Sequence, residues 1–300
     1  MSWRVVYIEK SDRLQLYLDN LKVVREEAEI LIPLSDIHTI IVDNQQTVVT
    51  ARLINKLSLY HILLVFCDDK HLPNTYVLSP HSHHQSSKML KKQIAWSSSF
   101  KRIMWQQFIQ IKIYNQASVL NHLKRNESVI FSLYELAEHV KLEDQSNREG
   151  HAAKLYFKEL FGSDFIRDRD SLDGINSSLN YGYIVLRSAV ARSLIASGLH
   201  PALGIGHNNQ YNAFNLADDL IEPFRPVVDL WVSVLMDESD YLDTKIKQKL
   251  VYLISNNKIL IGNQKQTILN AISILIHSYI KSMDQENTQL LVYPANGIAI

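Results

Sequence analysis

The early part of the chain alternates apolar and polar positions with a period near two. Arg4 to Glu9, Leu14 to Leu18, Leu21 to Val24, Glu29 to Leu34 and Ile37 to Val42 are short, carry β-branched residues and are separated by polar breaks such as Asp19-Asn20. That pattern predicts strands, several of them paired as hairpins. Val48 to Leu59 repeats its apolar positions at helical spacing, and the run His61 to Phe66, closed by Cys67-Asp68-Asp69, predicts a buried strand. Pro73, Pro80 and the polar stretch His81 to Ser87 then interrupt the periodicity. Beyond them the spacing is helical at Lys88 to Asn121, Ser128 to Val140, Arg148 to Phe161, Asn176 to Ser197, Ala213 to Met236, Thr244 to Ser255 and Gln264 to Met283, with Gly162, Gly198 and Gly262 as breaks. The expectation is a two-domain α+β fold: a small β-rich domain over residues 1–75, a linker over 76–87, and a larger all-helical domain over 88–300.

With 300 residues, 46% of them hydrophobic, the chain can bury a sizeable core. Thirty-one basic and 31 acidic side chains cancel, so net charge names no partner. Their distribution says more. Residues 70–126 hold nine Lys or Arg and no acid. Within that segment Lys88, Lys91, Lys92, Lys101, Arg102 and Lys112 fall in one predicted helix with Trp96 and Trp105. Such a helix is either a solvated lysine face or a surface for a phosphate backbone; an acid-free stretch of this length raises the second reading. The single cysteine, Cys67, requires no oxidising compartment, no basic-then-apolar leader follows Met1, and no apolar stretch approaches the roughly 18 residues of a membrane span. The expected setting is the cytosol, away from membranes. His81, His83 and His84 have no cysteine or carboxylate beside them and read as a loop.

Three segments carry candidate chemistry. In Ala217-Asp218-Asp219-Leu220-Ile221-Glu222-Pro223-Phe224-Arg225-Pro226, the acids Asp219 and Glu222 stand three apart, which on a helix puts both on one face. They are either an exposed acidic face paired with Arg225 or half of a divalent-cation site. Leu203-Gly204-Ile205-Gly206-His207-Asn208-Asn209-Gln210 offers His207 from a loop of glycines and amides. Two carboxylates with one imidazole suit Mn²⁺ and tolerate Mg²⁺. In Ser146-Asn147-Arg148-Glu149-Gly150-His151-Ala152-Ala153, Glu149 lies in a first helical turn, as a dipole-complementing acid or as a ligand, and Arg148 is free to meet a phosphate.

Taken together and in this order after a β domain, Asn147-Arg148-Glu149-Gly150-His151-Ala152-Ala153, the Gly-x-x-His loop and Asp219-Leu220-Ile221-Glu222-Pro223-Phe224-Arg225-Pro226 resemble the CRISPR-associated integrase family that captures new spacers. The likeness includes Phe66-Cys67-Asp68-Asp69-Lys70 and Ser163-Asp164-Phe165-Ile166-Arg167-Asp168, and is strongest to the branch accompanying type II systems. It implies a bacterial, metal-dependent DNA endonuclease and integrase that joins the 3′-hydroxyl ends of a captured fragment to a repeat array by transesterification. It implies Glu149, His207 and Glu222 as catalytic metal ligands for Mn²⁺ or Mg²⁺, with Asp219 as a further ligand or a group behind them. The implied partners are double-stranded DNA, a second copy through the β domain, and a smaller adaptation subunit bridging two dimers. A type II effector nuclease and a ring-forming DNA-binding protein complete the implied set. Lys88, Lys91, Lys92, Lys101, Arg102 and Arg148 are the DNA-contact candidates. Two other readings of the residues stay open: a branched-DNA repair nuclease using the same site, and a non-catalytic DNA scaffold. A covalent recombinase would need a Tyr nucleophile and a clamp such as Arg187, Arg192 and His200.

Overall fold

A computed structural model describes all residues except 1–3, 11, 26–27, 70, 72, 78–83, 237–240 and 295–300. The chain opens with β1 (Arg4–Ile8), β2 (Arg13–Tyr17), β3 (Asn20–Val24), β4 (Glu29–Pro33), β5 (Ile37–Val42), a two-residue β6 (Val48–Val49), α1 (Ala51–Leu59), β7 (Leu63–Cys67) and β8 (Pro73–Val77). These strands make two four-stranded sheets, ordered β1-β5-β7-β8 and β4-β3-β2-β6. Hairpins join β2, β3 and β4, as the alternation predicts, but β1, β5 and β7 run parallel. The parallel pair β5 and β7 is possible because α1 makes the crossover. Thr50 starts α1 by accepting the Leu53 amide, so Val48 and Val49 fall outside the helix and pair with β2 instead.

The first sheet is buried on both faces, which explains the near-continuous apolar runs of β5 and β7. Ile40, Val42 and Leu64 face α1 and the second sheet, whereas Ile41, Leu63, Val65 and Cys67 join the core of the helical domain. Cys67 is accordingly a buried free thiol, and burial pushes its pKa up to about 12. Pro73, which interrupts the periodicity of the sequence, does not end the strands. It opens β8, an edge strand, where a missing N–H costs no ladder bond. Of the predicted linker, residues 78–83 lie outside the described residues, as do His81, His83 and Lys70.

The helical part comprises α2 (Ser86–Ala95), α3 (Ser98–His122), α4 (Glu127–Glu138), α5 (Arg148–Phe161), α6 (Gly174–Ala196), α7 (Asn215–Ile221), α8 (Arg225–Leu235), α9 (Thr244–Asn256) and α10 (Ile268–Gln285). Helix α3 runs through its middle, touching α4, α5 and α8. Three expectations need correction. The basic segment is two helices, because the chain turns at Trp96 and the Ser97 hydroxyl caps α3 through the Phe100 amide. The segment Ala213 to Met236 divides at a 3-10 turn, Glu222–Phe224, enforced by Pro223 and Pro226. A hairpin of β9 (Lys258–Ile261) and β10 (Gln264–Thr267) interrupts the helices, turning on Gly262 (φ +54°) and Asn263 (φ +63°). Among the described residues no helix is long and apolar enough to cross a membrane.

Candidate active site

Glu149 owes its position to an unusual helix entry. Glu143, Asp144 and Asn147 all have positive φ, and this tight approach lets the Asp144 carboxylate accept the amides of Arg148 and Glu149 at 2.7 and 2.9 Å. The first turn of α5 is thereby capped by an anion, which its dipole favours. Glu222 comes from the 3-10 turn between α7 and α8 and is buried. Lys112 of α3 lies between them, with Nζ 2.5 Å from Glu149 Oε1 and 2.6 Å from Glu222 Oε2. Arg225 Nε holds the other oxygen of Glu222 at 2.9 Å, and its guanidinium lies 4.6 Å from the centre of the Tyr183 ring. Burial opposes a charge on Glu222, but Arg225 and Lys112 outweigh it and hold the carboxyl down to about 2. Lys112 is held charged in turn: burial works against it, and the Glu222 and Glu149 carboxylates prevail.

Asp219, one helical turn before Glu222, has an entirely different set of partners. Its carboxylate accepts the backbone amides of Ile205 (2.6 Å), Gly206 (3.3 Å) and His207 (2.9 Å), and the His207 ring at Nδ1 (2.8 Å). Three of these donors are N–H groups with no alternative role, so Asp219 acts as the acceptor that shapes the loop. The glycines there are required by close approach. A Cβ on Gly206 would come within 2.2 Å of the Trp105 ring, and one on Gly204 within 2.3 Å of the His207 carbonyl oxygen. Trp105 in turn meets the His207 ring edge-on at 5.3 Å. With Nδ1 engaged by Asp219, Nε2 is the ring nitrogen left for a ligand. The hydrogen bond that the ring donates to Asp219, against burial, raises the His207 pKa. Burial raises Asp219 itself despite its donors, and the loop amides keep it an acceptor.

Beside His207 opens a cavity of about 340 Å³ whose walls include Arg167, Arg169, Arg187 and Arg225 with Asn180 and Asn212. Arg167 is anchored by Asn176 and Asn180 at 2.7 and 2.6 Å, and Arg187 lies 5.3 Å from the Phe214 ring centre. Four guanidiniums against one lining acid, Asp218, leave this wall strongly positive. Under the site, the Asn115 amide of α3 donates to the carbonyls of both Pro223 (2.8 Å) and Pro294 (3.0 Å).

Glu149, Glu222 and Lys112 thus converge, with His207 and Asp219 alongside. As arranged around the ammonium, no three His, Cys, Asp or Glu side chains among the described residues close on a metal-sized point. The residues nonetheless fit a divalent cation in kind: two carboxylates already share one cationic atom, and an imidazole stands beside them with its tautomer set. The DNA-contact candidates are dispersed. Lys88 and Lys91 are exposed on α2, Lys92 pairs with Asp284, Lys101 is half-buried, and Arg102 stands 3.8 Å from Glu143. Arg148 keeps a buried Nε without a hydrogen-bond partner. The recombinase clamp does not form, since Arg192 Nε is spent on the His61 carbonyl and Arg187 turns to Tyr76. Sequence reasoning missed Lys112 as a site residue, Asp144 as a cap, and the wall formed by Arg167 and Arg169; only the Ser163 to Asp168 motif pointed near the last.

The family model for CRISPR associated protein Cas1 matches residues 6–260. The chain belongs to the Cas1 family. A CRISPR-associated endonuclease Cas1 of Neisseria meningitidis serogroup C (strain 8013) is 37% identical over 297 residues, covering 98% of this chain and 96% of that protein. Among solved structures, a casposase bound to integration product is similar with a TM-score of 0.77 at 20% identity, over 96% of this chain and 92% of the other. Cas1 from Thermotoga maritima is similar with a TM-score of 0.74 at 17% identity, over 94% and 97%. A Cas6-RT-Cas1–Cas2 complex matches with a TM-score of 0.77 at 17% identity, over 97% of this chain and 36% of that one. These likenesses establish the two-domain fold as that of Cas1 proteins.

Proposed function

We propose that this Cas1 protein is a metal-dependent DNA endonuclease and integrase, joining the 3′-hydroxyl end of a DNA fragment to a phosphodiester of a repeat array. The observation that carries the reading is the meeting of Glu149 and Glu222, 73 positions apart in sequence, on one buried cationic atom next to an oriented His207. Glu149, Glu222 and His207 Nε2 would hold Mn²⁺ or Mg²⁺, and such an ion supplies charge stabilisation at phosphorus and a lowered pKa for the attacking hydroxyl. The chain does the rest. Asp219 fixes the imidazole and the loop; Arg225 keeps Glu222 ionised and turned inward. The guanidiniums of Arg167, Arg169 and Arg187 line a wall suited to phosphates leading to His207.

The printed names of the relatives support the same reading, as do structures of a casposase with its integration product and of a Cas1 with Cas2. DNA and a Cas2-type subunit are therefore the partners we assign. A second copy is expected at the second sheet, whose edge strand β4 exposes Ile30 and Leu31 and whose β2–β3 hairpin exposes Tyr17 and Leu18. The test is a joining assay: a labelled 3′-hydroxyl duplex, a plasmid carrying repeats, and Mn²⁺ or Mg²⁺, beside Glu149→Ala, His207→Ala and Glu222→Ala. Metal-dependent joined product lost in all three variants is the expected outcome. Hydrolysed product alone would favour a repair nuclease, and indifference to EDTA would remove the metal site.

A further inference from the structure

Lys112 is an odd residue to find at the centre of a helix core. Its neighbours Ile111, Ile113, Asn115 and Gln116 are buried, and its own side chain is only 11% exposed. Burying an ammonium with the Glu222 carboxylate carries a desolvation cost before their attraction returns any of it, so a stability-driven core would favour an apolar side chain here. The two cations on Glu222 also differ in kind. Arg225 is planar, close in sequence and stacked on Tyr183, whereas Lys112 is a point charge on a flexible four-carbon stem reaching from another helix. Arg225 is built to stay; Lys112 can swing.

Charge counting gives the consequence. Glu149 and Glu222 with Lys112 and Arg225 sum to zero, so this four-group cluster, taken apart from the loop-bound Asp219, has no net attraction for a dication. With the ammonium gone it carries one net negative charge at short range and in a low-dielectric setting. Resting on the metal site proposed above, we propose that Lys112 is a resident counter-cation: its ammonium keeps Glu149 and Glu222 converged, and divalent metal binds by displacing it. Metal entry is then a cation exchange. Lys112 positions the ligands beforehand and weakens the metal's affinity, which keeps adventitious ions out.

The experiment is calorimetric titration of Mn²⁺ into the full-length protein and its Lys112→Met and Lys112→Arg variants, with Glu222→Gln as the control for the site. Expected is binding roughly ten-fold tighter in Lys112→Met, because its competitor is absent, and weaker in Lys112→Arg, whose fork is harder to expel. A merely structural lysine predicts the reverse for Lys112→Met, since lost packing loosens the ligands; equal or weaker binding there overturns the proposal while leaving the metal site intact. If neither wild type nor Lys112→Met binds Mn²⁺, the metal site itself falls and the exchange with it. Should Lys112→Met not fold, acetylation of wild-type lysines followed by mass spectrometry decides the matter: Lys112 is protected without metal and modified with saturating Mn²⁺. Protection that does not change with Mn²⁺ overturns the displacement.

Discussion

Asp219 and Glu222 sit one helical turn apart, both are buried, and each is surrounded by donors, yet they play opposite parts. Asp219 is bound by the backbone: three amides and an imidazole of a single loop. Glu222 is bound by side chains, Arg225 and Lys112, drawn from two different helices. A carboxylate held by main-chain N–H groups cannot change partners without unfolding its loop, whereas one held in part by a flexible lysine can. Architecture and exchangeable chemistry have been divided between two acids that the sequence presents as a matched pair.

The largest effect that would sharpen this division is at Asp219. Asp219→Ala leaves three amides and a histidine without their acceptor, at a cost of about 4 kcal/mol. Thermal denaturation without metal should reveal it, and an Asp219→Ala protein as stable as wild type would break the comparison. Glu222→Gln strands Lys112 and Arg225 and should cost about 3 kcal/mol. Its further signature is in pH. The Glu222 carboxyl titrates lower folded than unfolded, so its stabilisation is full above the ordinary value near 4.5 and is lost as pH falls through about 2. Denaturation curves of wild type and Glu222→Gln should therefore converge across that window, and parallel curves would refute the pairing. Gly206→Ala drives a methyl group into Trp105 and should cost about 2 kcal/mol. A double variant with Trp105→Leu recovers part of the loss if the contact is the cause. Asp144→Ala removes the cap on α5 and should cost about 1 kcal/mol, with Mn²⁺ binding weakened through a looser Glu149.

Sequence pattern revealed most strands of the first domain, though not β6 or β8, and most helices of the second, because each buries one regular face. It failed where a segment's apolar face is absent or shared. β10, Gln-Lys-Gln-Thr, has no alternation to read, since only its partner β9 sends Ile259 and Ile261 into the core. The parallel pairing of β1 with β5 left no local mark, because register between distant strands is decided by tertiary packing. At the site, spacing placed Asp219 and Glu222 together but carried no information on what each would face. Pro223 converts the second half-turn to 3-10 geometry, and this turns the glutamate towards α3. Lys112 was hidden for a related reason: among nine basic residues in an acid-free stretch it has no local distinction, and its two acids are 37 and 110 positions away.

The Asn115 side chain, which binds the carbonyls of Pro223 and Pro294 at once, bears on when during synthesis this site comes into being. Helix α3 leaves the ribosome early, but its Asn115 amide can make both of these bonds only after the segment around Pro294 has followed. A growing chain tends to fold its N-terminal portion first, but the first sheet leaves Ile41, Leu63 and Val65 uncovered until the helical core arrives, and that core is tied together by a residue 179 positions downstream of Asn115. The bond that ties this last segment to α3, beside the turn carrying Glu222, is thereby made only in the last stretch of translation. A ribosome stalled midway would carry a sheet with one apolar face still open to water.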